Sequence, residues 1–327
     1  MIIKQTPEDF RVNEQIDLKP VKSGNYLIYK LIKKDWDSFK ALETIADRLG
    51  TKVKFIGYAG NKDKKAITTQ YVSFYKISKN RIDNLKIKDI DFEFVGYSHE
   101  RINLGDLKGN NFIITARDLK EKNEIPNNIF LENYFDDQRF GNKFNTHLVG
   151  KAIIKKDFKK ACEIIGITII NNDYIGELRK QHRRLLRFYI SSYQSYLFNL
   201  ILSKYIEDKS ENKIFVDYSL GKLAVSNENR ENFDIPLISF DALFDKKIKE
   251  IAEKILDNEN IKLTDFIIKE MPELISETAY RKAFVEINNI KCKSEKDINN
   301  YKAIVEFFLP KGSYATLLMK KLELYLK

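Results

Sequence analysis

Residues 57–70 read Gly-Tyr-Ala-Gly-Asn-Lys-Asp-Lys-Lys-Ala-Ile-Thr-Thr-Gln, which sets one carboxylate, Asp63, among the ammonium groups of Lys62, Lys64 and Lys65. Taken locally, Asp63 is a turn residue that hydrogen-bonds its own backbone, since Asp is common in glycine-rich turns. The sharper chemistry is a carboxylate kept ionised by its neighbours, with Lys62 alone able to supply the field, and available as nucleophile or base. The stretch does not encode a phosphate-cradling loop. G-x-x-x-x-G-K-[ST] needs a later second glycine and a hydroxyl after the lysine, and the chain has no G-x-G-x-x-G. A Ser-His-Asp arrangement is poorly supplied, because His99, His147 and His182 are the only histidines and none adjoins a G-x-S-x-G elbow.

The elements that must position this carboxylate come from a chain of 327 residues, 43% hydrophobic, enough for a substantial core and a prior for two domains. A net charge of +10 favours an anionic partner. Nucleic acid is the better candidate than a membrane, because no lipidation signal or basic amphipathic segment is present. Cys162 and Cys292 lie far from any second Cys or His at ligand spacing, so neither a zinc site nor a disulfide framework is expected. The start MIIKQTPEDF turns polar at once and no long apolar run follows, so the expected setting is the reducing cytoplasm.

Strand patterns dominate the first ~145 residues. FRVNEQI (10–16), YLIYKLIKK (26–34), KFIGYA (54–59), QYVSFYKI (70–77), FEFVGYS (92–98) and NFIITARDL (111–119) are rich in aromatic and β-branched residues. Residues 37–50 instead space Phe39, Leu42, Ile45, Ala46 and Leu49 as one helical face ending at Gly50. After about residue 148 the pattern becomes helical, and near residue 283 strands return with AFVEINNIKC and YKAIVEFFLP before a closing helix. If those last strands complete the first sheet, the middle is an insertion.

Several separated stretches together resemble one family. AGNKDKKAITTQ (59–70) is similar to the nucleophile motif of TruD-type tRNA pseudouridine synthases, Ala-Gly-x-Lys-Asp followed by Ala-x-Thr-x-Gln. TPEDFRVNE (6–14), RINLGDLKGNNFIITAR (101–117), NYFDDQRFG (133–141) and FFLPKGSYAT (307–316) resemble the family's other motifs in order, and SYQSYLFN (192–199) a family helix. The resemblance implies an α+β fold: a pseudouridine synthase core with a mixed or antiparallel sheet over residues 1–150 and 286–327, interrupted by a mostly helical TRUD-type domain over 151–285.

It also implies a redox-neutral isomerisation of a tRNA uridine, uridine 13 of the D-arm, by a monomer that needs no cofactor or metal, with Asp63 as nucleophile or sugar-side base. A flipped base needs aromatic faces and fixed polar groups. Phe135 is the first stacking candidate, Asn133 an amide for the uracil edge, and Phe10 and Tyr314 aromatic pocket walls. Lys62 would tune Asp63, while Lys64, Lys65, Arg183, Arg184 and Arg187 would face phosphate or serve as solvated surface. One departure stands out: where the family has Gly after Phe135, this chain has Asp136. The competing classes are a non-catalytic RNA-binding or RNA-folding protein on the same fold, and a hydrolase using Asp63 to activate water.

Overall fold

Alternating apolar residues in the first third build strands, and the computed structural model, which describes residues 1–122, 124–228, 230–298 and 300–326, shows how they assemble. In chain order come β1 (Phe10–Ile16), β2 (Tyr26–Lys34), α1 (Ser38–Arg48), β3 (Ile56–Tyr58), β4 (Ile67–Tyr75), α2 (Lys79–Asp83), β5 (Ile90–Ser98) and β6 (Leu107–Leu119). The middle of the chain forms β7 (Ile129–Glu132), α3 (Thr146–Ile154), α4 (Phe158–Ile165), α5 (Tyr174–Arg179) and α6 (Arg183–Lys209). It continues with β8 (Lys213–Tyr218), β9 (Gly221–Ser226), β10 (Asp234–Leu237), α7 (Lys249–Asn258), β11 (Ala279–Lys282) and β12 (Phe284–Ile287). The chain closes with β13 (Lys291–Lys296), β14 (Tyr301–Pro310) and α8 (Ala315–Leu322).

Contacts divide the chain into two compact units. Met1–Ile129, Ile287–Ala315 and the residues from Leu322 on form the first; Phe130–Glu286 and Thr316–Lys321 form the second. Residues 130–150 thus count with the helical unit, whereas the change of sequence pattern sets an edge near 150.

The first unit is built on an eight-stranded sheet of order β13-β14-β6-β1-β4-β2-β5, with β3 paired to β4. It is mixed: β1 and β4 run parallel, while β6 pairs antiparallel with both β1 and β14. The last strands therefore join the sheet begun by the first. Strand partners point the same way, so the pairing of Val12 and Lys33 with Thr68 puts Phe10, Val12, Glu14, Leu31, Lys33, Thr68 and Gln70 on one face. At Gly109 the strands approach so closely that a Cβ would collide with the Leu309 carbonyl. α1 covers part of this face with Ala41, Leu42, Ile45 and Ala46 against Tyr29, Leu31, Val72 and Phe74. Asp37 caps the helix, its Oδ1 accepting from the N–H groups of Phe39 and Lys40. Phe39, expected on the buried face, is 52% exposed, because its position lies at the rim of the apolar arc and Ser38 takes the inward place instead.

The second unit is less uniformly helical than its sequence pattern. Around α6, whose 27 residues include the buried Tyr193, Leu197, Phe198 and Ile201, three two-stranded ladders form: β8 with β9, β10 with β11, and β7 with β12. Strands of four to six residues are too short to impose a readable period. Among the described residues no helix is long and apolar enough to cross a membrane.

Candidate active site

Residues 59–66 connect β3 to β4, and backbone hydrogen bonds fix both ends: the Gly105 N–H donates to the Ala59 carbonyl at 2.8 Å and the Asp35 N–H to the Ala66 carbonyl at 3.1 Å. Side chains fix the middle. The Ser38 hydroxyl, buried at the start of α1, accepts from the Lys62 N–H at 2.8 Å and donates to the Lys62 carbonyl at 3.2 Å. Lys33, at the end of β2, donates to the Asp63 carbonyl at 2.9 Å and to the Trp36 carbonyl at 2.6 Å. The Lys62 ammonium binds Glu14 Oε2, while Glu14 Oε1 accepts from the Tyr71 N–H at 3.0 Å.

With its backbone so held, the Asp63 side chain stays 23% exposed and its Oδ1 lies 3.0 Å from Lys4 Nζ. Lys4 Nζ sits 3.9 Å from the centroid of the Phe10 ring, a cation–π arrangement. Lys4 adopts a left-handed backbone, φ 57°, between two anchors. On one side Ile2 exchanges backbone hydrogen bonds with Arg117, at 3.0 and 2.8 Å. On the other, Asp9 Oδ2 accepts from the Thr6 N–H at 3.0 Å and the Arg117 guanidinium grips both Asp9 oxygens. Burial pushes the Asp9 carboxyl up, but Arg117 and the Thr6 N–H outweigh it and leave it below its ordinary range.

One expectation changes here. Lys62 does not reach for Asp63 with its ammonium: that group is buried against Glu14, and Lys4 takes the place at Asp63. Phe10 is a core ring, 1% exposed and edge-on to Phe112 at 5.9 Å, and its face carries the Lys4 ammonium. Lys64 and Lys65 are exposed, and Tyr314 is half-buried in the turn before α8.

Lys4, Glu14, Lys33 and Ser38 escaped sequence reasoning, although two carried a signal. Glu14 follows Phe10 and Val12, and Lys33 follows Leu27, Tyr29 and Leu31, at the core-facing phase of their strands. An ionisable residue in that phase needs a partner or a function. Burial pushes the Lys33 ammonium from its ordinary 10.5 down to about 8, against the pull of Asp63, Asp37 and Asp35.

The second unit holds Asn133 and Phe135. The Arg281 guanidinium donates to the Asn133 carbonyl at 2.8 Å and to its Oδ1 at 2.6 Å, and lies 4.1 Å from the Phe135 ring centroid. Asn133 Nδ2 donates to the Lys282 carbonyl at 3.0 Å. The Phe135 ring also meets Phe198 edge-on at 5.5 Å, and Asn199 holds its peptide through both N–H and carbonyl, each at 2.8 Å. Asp136 has φ −89°, so this position makes no demand for glycine. Its carboxylate accepts from the Thr316 hydroxyl and lies 3.6 Å from Lys320 Nζ. Of the three arginines expected at phosphate, Arg183 and Arg187 both donate to the Glu273 carbonyl, each with a shortest bond of 3.0 Å. Arg184 is exposed.

The sequence profile of the family described as tRNA pseudouridine synthase D (TruD) matches residues 1–170 and 167–322. The chain belongs to the TruD family. A probable tRNA pseudouridine synthase D of Methanococcus maripaludis is 32% identical, the alignment covering 98% of this chain and 99% of that protein. One from Methanosarcina barkeri is 30% identical over 98% of this chain and 92% of its own length. A crystal structure of a Methanosarcina mazei protein assigned to tRNA pseudouridine synthase D superposes with a TM-score of 0.73 at 27% identity, covering 98% of this chain and 92% of that one. Membership in the TruD family makes the chain an isomerase of the pseudouridine synthase class. The stretches that resemble TruD motifs supply Asp63, Asp9, Phe135 and Asn199 to the constellations above.

Proposed function

We propose that this chain converts uridine 13 in the D-arm of tRNA to pseudouridine, with Asp63 as the carboxylate that acts on the ribose. Pseudouridine formation breaks the N1–C1′ bond, turns the uracil, joins C5 to C1′, releases the C5 proton and leaves N1 protonated, so substrate and product have the same composition. Asp63 either adds to C1′ as nucleophile or takes a sugar proton as base. The observation that carries this reading is the Lys4–Asp63 pair at 3.0 Å on a loop tied at Ala59, Lys62, Asp63 and Ala66. A partly exposed charged group on an immobilised backbone is the preorganised arrangement a reacting carboxylate requires.

Asn133, Phe135 and Tyr314 are the proposed contacts to the flipped uridine, and exposed Lys64, Lys65, Arg183, Arg184 and Arg187 the proposed phosphate contacts. Transfer RNA tritiated at uracil C5 tests the reaction. Wild-type protein releases tritium to water from position 13 while the base stays attached, and Asp63→Asn releases none. Unchanged release from Asp63→Asn would falsify the role of Asp63. Free uracil and an abasic site would indicate hydrolysis, and binding without release an RNA-binding protein.

A further inference from the structure

β2 runs into the core with Leu27, Tyr29 and Leu31 and then places Lys33 in the same phase, wholly buried. A Met or Leu would continue the apolar pattern at lower cost, since an interior ammonium loses its hydration. Two other buried lysines have carboxylates in contact, Lys62 with Glu14 and Lys321 with Glu132. The acceptors on Lys33 Nζ are two peptide carbonyls, those of Trp36 and Asp63.

We propose that Lys33 is a positioning residue for pseudouridine formation, its buried ammonium holding the Asp63 peptide so that the carboxylate keeps its reactive orientation. This rests on the role assigned to Asp63. A charge-assisted bond to the Asp63 carbonyl limits rotation about the Cα–C bond of that residue. With Ser38 holding both backbone polar groups of the preceding residue, Lys62, the direction of the Asp63 Cβ is set from two sides.

The charged groups facing Lys33 are Asp63, Asp37 and Asp35, which favour the ammonium, and Lys62, which opposes it. Burial outweighs them, and the ammonium gives up its proton near pH 8. The folded chain then binds fewer protons at Lys33 than the unfolded chain between pH 8 and 10.5. Stability therefore rises across that window, while the clamp weakens and turnover falls. Opposed trends separate a positioning role from a structural one.

Trp36 is the only tryptophan of the chain, and its carbonyl accepts from Lys33, so its fluorescence reports the clamp independently of activity. In the full-length protein, Trp36 emission should titrate near pH 8 in wild type and in Asp63→Asn, and not in Lys33→Met. With tRNA substrate, wild-type kcat should fall as pH passes about 8 at constant KM. Lys33→Met should show kcat lowered about 10-fold, no such limb, and a melting temperature no lower than wild type. Wild-type kcat with an intact alkaline limb in Lys33→Met overturns the proposal. If Lys33→Met does not fold, the absence of a wild-type Trp36 transition between about pH 7 and 9 overturns it instead. Activity in Asp63→Asn overturns the role of Asp63 while leaving the Trp36 titration to report on Lys33.

Discussion

Lys4 Nζ lies 3.0 Å from Asp63 Oδ1 and 3.9 Å from the centroid of the Phe10 ring. One ammonium is thus shared between a carboxylate and an aromatic face, joining the N-terminal segment to the β3–β4 connection. The Pro-Glu-Asp-Phe turn provides the ring, and the Asp9–Arg117 pair holds that turn.

The first expectation is that Lys4→Met lowers single-turnover rate by about 10- to 100-fold, the value of one charge-assisted bond at the reacting group. Affinity for tRNA should change little, because one phosphate-sized charge among 57 Lys and Arg is removed. Lys4→Arg should recover part of the rate. A Lys4→Met enzyme as fast as wild type would show that the pair has no part in catalysis.

Glu14 and Lys62 form a pair with side chains 0% and 3% exposed. Removing one partner leaves the other charge buried alone, so Glu14→Gln and Lys62→Met should each lose about 3 to 5 kcal/mol in urea unfolding. The double replacement Glu14→Leu with Lys62→Met should regain much of that stability. It should not regain activity, since the loop carrying Asp63 then lacks its anchor on β1. Additive losses in the double variant would mean that the two groups are energetically independent.

His147 on α3 is buried between Phe140 and Tyr196, at 5.7 and 4.9 Å between ring centroids. Burial pushes its imidazole down from 6.5 to about 4, against the pull of Glu259. The unfolded chain binds the proton that the folded chain refuses, so stability is full above about 6.5 and falls as pH drops toward 4. The loss amounts to about 3 kcal/mol at the acid end. His147→Leu should remove this part of the acid sensitivity, as read from melting temperature against pH. An unchanged acid profile would place the titration elsewhere.

Much of this architecture was legible because it is local. β1, β2 and β14 occupy the residues whose alternation marked them, 10–16, 26–34 and 301–310. The alternation reflects one face turned to a core, and that pattern is written in consecutive residues. The partners of Asp63 were not legible in the same way. Lys62 is its neighbour in sequence and invited the pairing, yet its ammonium lies at Glu14 while Lys4, 59 residues away, reaches the carboxylate. Long-range pairing depends on strand order, and the parallel β1–β4 contact that brings these segments together leaves no mark in either segment. Glu14 and Lys33 were visible only as charges in a core-facing phase, a clue to burial that does not name the partner. The short ladders of the second unit fell below the length at which a period can be read.

The sheet of the first unit has a consequence for synthesis on the ribosome. β6 ends at Leu119, but the strand that covers its outer edge, β14, begins at Tyr301. At ~5–20 residues per second the nascent chain presents that open edge for on the order of 10 to 40 s. During this time the row of unpaired N–H and C=O groups on β6 is a template for any passing extended segment. The intervening segment leaves the exit tunnel in that interval and has its own core around α6 to close. Translation speed through residues 120–300 therefore sets how long the nascent chain is open to misassembly, and slowing it should lower soluble yield without altering the stability of the finished protein.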